Sequence, residues 1–226
     1  MGFGEAELRG INPELIYVSI SGFGEDGPFS HKRVYDPLIQ GLSGLATVQA
    51  GADELRPQLV RTILPDKLTG VTAAQAITAA LFARERTGES QHVRLSMLDA
   101  IIAFLWSSDM GSQTFVHSEV PQQEAASLQD LIYETTTGYI TIAVQSDREW
   151  QALIRAVDRP EWAEDPRFLT ARLRQENIDA RLELIQSVIK TDTAEHWLAR
   201  LEAEQVPCAP VLTRTQVLDH PPVRAN

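Results

Sequence analysis

The stretch ILPDKLTGVTAAQAITAALFARERTGESQHVRLSMLDA, residues 63–100, decides the fold. The apolar run leading into it, QLVRTIL (58–64), reads as a short strand that Pro65 stops. From Thr69 to Thr87 Ala and Leu dominate, and apolar residues recur at helical spacing. Arg84 and Arg86 occupy the last turn, and Gly88 supplies a C-cap. Residues 91–95 alternate like a strand, and MLDAIIAFLW (97–106) reads as a buried helix. Strands alternating with long helices point to an α/β unit. Asp66 stands at its central junction. The ordinary reading is a turn or capping residue; the sharper one is a nucleophile held at the positive end of a helix.

The chain of 226 residues has room for one large domain or two modest ones, and 43% hydrophobic residues supply a core. A net charge of -11 argues against a nucleic-acid partner, which needs clustered Lys and Arg. An anionic small ligand needs only a local basic patch. Cys208 is the single cysteine, so there is neither a disulfide framework nor a Cys-rich metal site. A reducing, cytoplasmic compartment is expected. No apolar run reaches membrane-spanning length. The first residues, MGFGEAELRG, are unlike a signal peptide, and Ala6 stands where a myristoylation site wants Ser or Thr.

Upstream, LIYVSISG (15–22) reads as a strand, and GFGEDGPFS as the loop after it. That loop contains GxGxxG at Gly22, Gly24 and Gly27, but Pro28 follows and no amphipathic helix begins there. A dinucleotide fingerprint is therefore set aside, while a loop approaching some ligand is retained. His31, Lys32 and Arg33 are either an ordinary solvated cluster or a phosphate site. A helix is expected over 36–47. Asp36 and Asp99 read as caps or surface charges. No histidine has a partner at metal-ligand spacing, so no metal is expected. Cys208 reads as a packed thiol, and no GxSxG motif is present. Downstream, the polar residues 107–130 read as a linker. A hairpin turns at Thr137-Gly138, helices follow at 147–157, 176–190 and 193–204, and Cys208–Val211 is extended.

Together, NPELIYVSISGFGEDGP, VYDPLIQGLSGL, LPDKLTGVTAAQAITAALFARERTGESQHVRLSMLDA, TGYITIAV, RPEWAEDPRF and VPCAPVLT resemble the class III coenzyme A transferases of the CaiB/BaiF type. The resemblance covers nearly the whole chain. It implies an α/β, incomplete Rossmann-like first domain over 1–106 that carries the nucleophile. A linker over 107–130, a smaller α+β domain over 131–215 and the start of a return segment over 216–226 follow. The family's nucleophilic carboxylate falls on Asp66, and its coenzyme A contacts fall on Lys32, Arg33, Val34 and Tyr35. The implied reaction moves coenzyme A from an acyl-CoA to a carboxylic acid through an aspartyl mixed anhydride and an aspartyl-CoA thioester. Coenzyme A is a substrate there, and no prosthetic group is implied. Backbone N–H groups beside Asp66 would steady the oxyanion, and the Gly22–Gly27 loop would shield the anhydride from water.

Racemases of the same fold move an α-proton with a His and an Asp. Their His precedes the Asp of the YD pair, where Tyr35 stands here, and a phenol is a poor proton acceptor at neutral pH. Transfer is therefore preferred to racemisation. The rival from another class is a non-catalytic remnant that only folds and dimerises. The family carries a long N-terminal α/β stretch and a C-terminal return segment that this sequence is expected to lack. When full length it forms an interlocked homodimer.

Overall fold

The structure, a computed structural model, describes residues 2–115 and 130–225. The chain divides into two compact units, Met1–Gln129 and Asp130–Asn226.

In the first unit, α1 (Glu5–Ile11) precedes β1 (Tyr17–Ser21). Next come α2 (Asp36–Leu42), α3 (Leu45–Ala50), α4 (Leu64–Thr87), β2 (His92–Ser96) and α5 (Met97–Trp106). β1 and β2 pair in parallel, with Tyr17 opposite His92 and Ser21 opposite Ser96, so the helices between them form the crossover such a pair requires. Ile39, Leu45, Met97, Ile101 and Leu105 make the core, with Leu64 and Leu68 of α4 packed against it.

The expected helix over 36–47 is two helices. Gly44 adopts φ +86, a left-handed conformation cheap only for glycine, and breaks the run between α2 and α3. The expected strand over 58–64 is not formed. Its backbone polar groups bond elsewhere: the Gln58 N–H donates to the Ala46 carbonyl, and the Val60 N–H to Gln40 Oε1. α4 begins at Leu64, not Thr69. Pro65 opens the helix instead of stopping a strand, because its fixed φ suits the first turn and its missing N–H costs nothing there. Gly88, at φ +73, ends α4 as its C-cap.

The second unit is a three-stranded antiparallel sheet, β3 (Ile132–Thr135), β4 (Gly138–Ile142) and β5 (Cys208–Pro210) in that order, packed against helices. The helices are α6 (Asp147–Val157), α7 (Ala171–Glu176), α8 (Ile178–Ile189), α9 (Ala194–Ala203), α10 (Arg214–Asp219) and α11 (Pro221–Arg224). Alternation sends Tyr133, Ile140 and Ile142 into the core, where they join Trp150, Phe168 and Leu201. A reciprocal cap starts α6: Ser146 Oγ accepts the Glu149 N–H, and the Glu149 carboxylate accepts the Ser146 N–H. Residues 116–129 of the expected linker lie outside the described residues. Among the described residues no helix is long and apolar enough to cross a membrane.

Candidate active site

Asp66 is the third residue of α4, in the first turn of a helix of 24 residues, and it is exposed. The residue before the helix, Ile63, offers no capping side chain. The cap comes from α2 instead. Asp36 Oδ2 accepts the Asp66 backbone N–H at 3.3 Å. Asp36 Oδ1 accepts from Gln40 Nε2 at 2.6 Å. Both oxygens accept, the pattern of an ionised carboxylate. Asp36 is 5% exposed and Gln40 2% exposed, so this is a buried polar link and not a surface charge.

At the start of α4 the Leu64 N–H goes to the Thr62 carbonyl at 2.8 Å, Pro65 has none, Asp66 donates to Asp36, and the Lys67 N–H goes to the Ile63 carbonyl at 3.2 Å. Of the donors here, the N–H of Ile63, the residue before the helix, is the one with no hydrogen-bond partner among the described residues. The Lys67 ammonium is also engaged, with Thr62 Oγ1 at 2.8 Å.

The loop after β1 is anchored near its start. The Gly24 N–H donates to Ser21 Oγ at 3.0 Å. Glu25 is held to β1 by the Ser19 hydroxyl and to β2 by Arg94 Nε at 2.9 Å. The Ser19 hydrogen bond is the largest reason the Glu25 carboxyl sits below the usual carboxylate range; Arg94 adds to it and burial opposes it. Gly24 and Gly27 adopt φ +93 and +99, which a turn of this shape reserves for glycine. No helix starts until Asp36, so the GxGxxG letters do not build a dinucleotide fingerprint.

Residues 32–35 connect this loop to Asp66. Val34 packs on Gly22 and on the core beside Leu64 and Leu68. Tyr35 is the exposed residue preceding α2, next to the Asp36 that reaches Asp66. The two cations differ. Lys32 Nζ lies 3.3 Å above the Phe29 ring, whose own neighbour is Phe23. Arg33 is exposed and has no hydrogen-bond or ion-pair partner among the described residues. The fold thus ties Asp66 to Asp36, the residue that follows the Lys32–Tyr35 run. Sequence reading treated Asp36 as a cap or surface charge and passed over Gln40. A signal was available: a polar pair at i and i+4 inside the otherwise apolar DPLIQGL.

The whole chain, residues 1–226, matches the family model described as CoA-transferase family III. The chain belongs to that family. Among family III relatives, it is 32% identical over 232 residues to the acetyl-CoA:oxalate CoA-transferase of Acetobacter aceti, covering 100% of this chain and 59% of that protein. It is 30% identical over 235 residues to the succinate–glutarate CoA-transferase of Agrobacterium fabrum, covering 100% of this chain and 56% of the other. A crystal structure of a CAIB/BAIF family protein from Brucella suis superposes with a TM-score of 0.82 at 29% identity, covering 99% of this chain and 60% of that one. This family III chain therefore spans somewhat under two thirds of the length of these relatives. Its mixed helix-and-strand architecture is that of the family's solved structures, as the resemblance in sequence implied.

Proposed function

We propose that this family III chain is the nucleophile-bearing part of a coenzyme A transferase, with Asp66 as the nucleophile. One observation carries the reading: an exposed carboxylate in the first turn of a long helix, tied through Asp36 to the Lys32–Tyr35 run. An Asp66 oxygen attacks the thioester carbonyl of an acyl-CoA. The C–S bond breaks, coenzyme A leaves as thiolate, and a mixed anhydride remains. The thiolate attacks the Asp66 carbonyl carbon, releasing the donor acid and leaving an aspartyl-CoA thioester. The acceptor carboxylate attacks that thioester and expels the thiolate again. The thiolate then attacks the acceptor's acyl carbon, which gives the new acyl-CoA and returns Asp66 as carboxylate.

Arg33 is the side chain best suited to the anionic part of coenzyme A, with Lys32, Val34 and Tyr35 completing the contact. The relatives' names support a carboxylic acid acceptor. Val71 and Phe82, on α4, are exposed large apolar residues of the kind a homodimer would cover. We place the assembled enzyme in the cytoplasm.

The test uses the complete polypeptide carrying these residues, incubated with a panel of acyl-CoAs and hydroxylamine and read by peptide mass spectrometry. Asp66 alone is expected to be converted to its hydroxamate. Asp66→Ala is expected to abolish transfer, and Asp66→Asn nearly so. Label on another residue, or full activity in Asp66→Ala, overturns the assignment.

A further inference from the structure

We infer that Gln40 is a positioning residue for the nucleophile, acting through Asp36; the inference rests on the reading of Asp66 as that nucleophile. Gln40 is 2% exposed, inside an otherwise apolar stretch of α2, and its amide spends both ends on the approach to Asp66. Its Oε1 accepts the Val60 N–H at 2.9 Å. Its Nε2 faces three acceptors: Asp36 Oδ1 at 2.6 Å, the Thr62 carbonyl at 3.2 Å and the Val60 carbonyl at 3.3 Å.

The consequence is geometric. Residues 60–62 pair with no strand; Gln40 holds them at Val60 and at the Thr62 carbonyl, and Lys67 Nζ and the Leu64 N–H add to the hold on Thr62. Residues 60–62 lead directly into Leu64, Pro65 and Asp66. Asp36, whose rotamer Gln40 fixes, carries the same restraint to the backbone of the nucleophile, because its other oxygen takes the Asp66 N–H. The helix start that carries Asp66 is therefore fixed at two points, before the helix by Gln40 and within its first turn by Asp36. Restraint of this kind matters to rate, since an attacking oxygen must meet a thioester carbon within a narrow range of distance and direction. A buried amide is suited to the task. It donates and accepts at once, and a Leu of similar size would leave the Val60 N–H and an Asp36 oxygen unpaired.

Three variants of the complete polypeptide test this. Gln40→Glu keeps the acceptor for Val60 and removes the donor to Asp36. Asp36→Asn keeps an oxygen for the Asp66 N–H and loses the acceptor for Gln40. The double variant Asp36→Asn/Gln40→Glu reverses the bond: the new amide at 36 donates to the new carboxylate at 40 and the Asp66 and Val60 N–H groups keep their acceptors, while the Val60 and Thr62 carbonyls lose their donor as they do in Gln40→Glu.

Each single variant is expected to lower kcat by roughly ten- to a hundredfold, with KM for the acyl-CoA changing by less than about threefold, because position and not affinity is lost. The double variant is expected to recover the part of that loss that runs through Asp36, so that its kcat exceeds that of Gln40→Glu. Hydroxamate labelling of Asp66 is expected to slow and recover in parallel. Single variants with normal kcat overturn the inference, and so does a loss that the double variant leaves unrepaired and that only tracks melting temperature. Absence of Asp66 label in the unsubstituted enzyme instead overturns the nucleophile reading itself. Should Gln40→Glu alone fail to fold, the double variant compared with Asp36→Ala carries the same decision.

Discussion

Gly22 to Ala is the sharpest probe of how the candidate coenzyme A contacts are held. Gly22 follows β1, and its carbonyl accepts the Leu98 N–H at 3.1 Å. An added Cβ would lie 2.5 Å from Val34 Cβ and 2.7 and 2.8 Å from its two Cγ atoms. Gly22 is not among the glycines with positive φ, so the penalty is steric. Val34 cannot turn aside, because both branches of its β-branched side chain already meet the new atom. The backbone must move, at about 1–3 kcal/mol for an overpacked contact. Val34→Ala alone removes two half-buried methyls and costs about 1 kcal/mol. If the effects were independent, the double variant would lose about 2–4 kcal/mol, the sum of these two estimates. Val34→Ala removes the two Cγ contacts but keeps the Val34 Cβ 2.5 Å from the added one, so the clash is relieved in part and the double variant falls between that sum and the Val34→Ala value. Hydrogen exchange of the β1 and β2 amides reads this directly, with Gly22→Ala raising exchange roughly 5- to 150-fold. Coenzyme A affinity should fall along with protection, because the shifted segment carries Arg33 and Tyr35. Additivity within about 0.5 kcal/mol would refute the reasoning.

Arg33→Ala should weaken coenzyme A binding by on the order of 1.5–3 kcal/mol, the worth of a charge-assisted bond. Lys32→Ala should cost less, because binding through Lys32 gives up its contact with Phe29, worth about 0.5–1 kcal/mol; equal losses by titration calorimetry would remove the distinction. Burial pushes the Tyr133 phenol up to about 12, with Asp130 acting the same way and Arg181 opposing. Its folded pKa therefore lies above its unfolded one. That contribution is complete below about pH 10 and is lost as pH rises through about 12, about 2–3 kcal/mol in all. Tyr133→Phe should flatten this alkaline slope, and a Tyr133 phenolate absorbing near the ordinary tyrosine range in the folded protein contradicts it. Glu25 is lowered, so its tether on the loop is complete above the ordinary carboxylate pKa and is lost as pH falls through the lowered value. Protection of the Gly24 amide, relative to its intrinsic exchange rate, should fall on that acid limb and become pH-independent there in Glu25→Gln. An unchanged acid limb in Glu25→Gln would show that Glu25 is not the tether.

The long, periodic elements were legible in the sequence, and the short irregular ones were not. The body of α4 carries its own signals, Ala-rich spacing and Gly88, and α5 lies where its apolar run ends. The start of α4 was misplaced because Pro65 has two local meanings, strand breaker and helix opener. Only the fold chooses between them. Residues 58–64 misled for a related reason. Their apolar spacing suits a strand, but a strand needs a neighbour, and here a glutamine 20 residues away takes the backbone groups instead. The site divides the same way. Asp66 and the Lys32–Tyr35 run are proposed from the resemblance that long motifs carry. The bond from Asp36 to Asp66 spans 30 positions and leaves no local trace except the i, i+4 pair with Gln40.

The count of N–H groups at the start of α4 changes what that helix end can do. A bare helix N-terminus carries about half an elementary charge and attracts anions. Here the Asp36 carboxylate already occupies it, and a full negative charge at hydrogen-bond distance more than offsets that half charge. The helix start thus serves as a mount for Asp66, with much of its own positive end already offset. The anions of the proposed reaction then call for cationic partners besides that helix end: the coenzyme A phosphates, the departing thiolate and the acceptor carboxylate. Arg33 meets that need among the candidate contacts, since it is exposed and holds no partner among the described residues, whereas Lys32 and Lys67 are engaged with Phe29 and Thr62. On the proposed reading the division of labour follows from charge: acidic and amide side chains from α2 would hold Asp66 in place, and the arginine just before that helix would be left for the substrate.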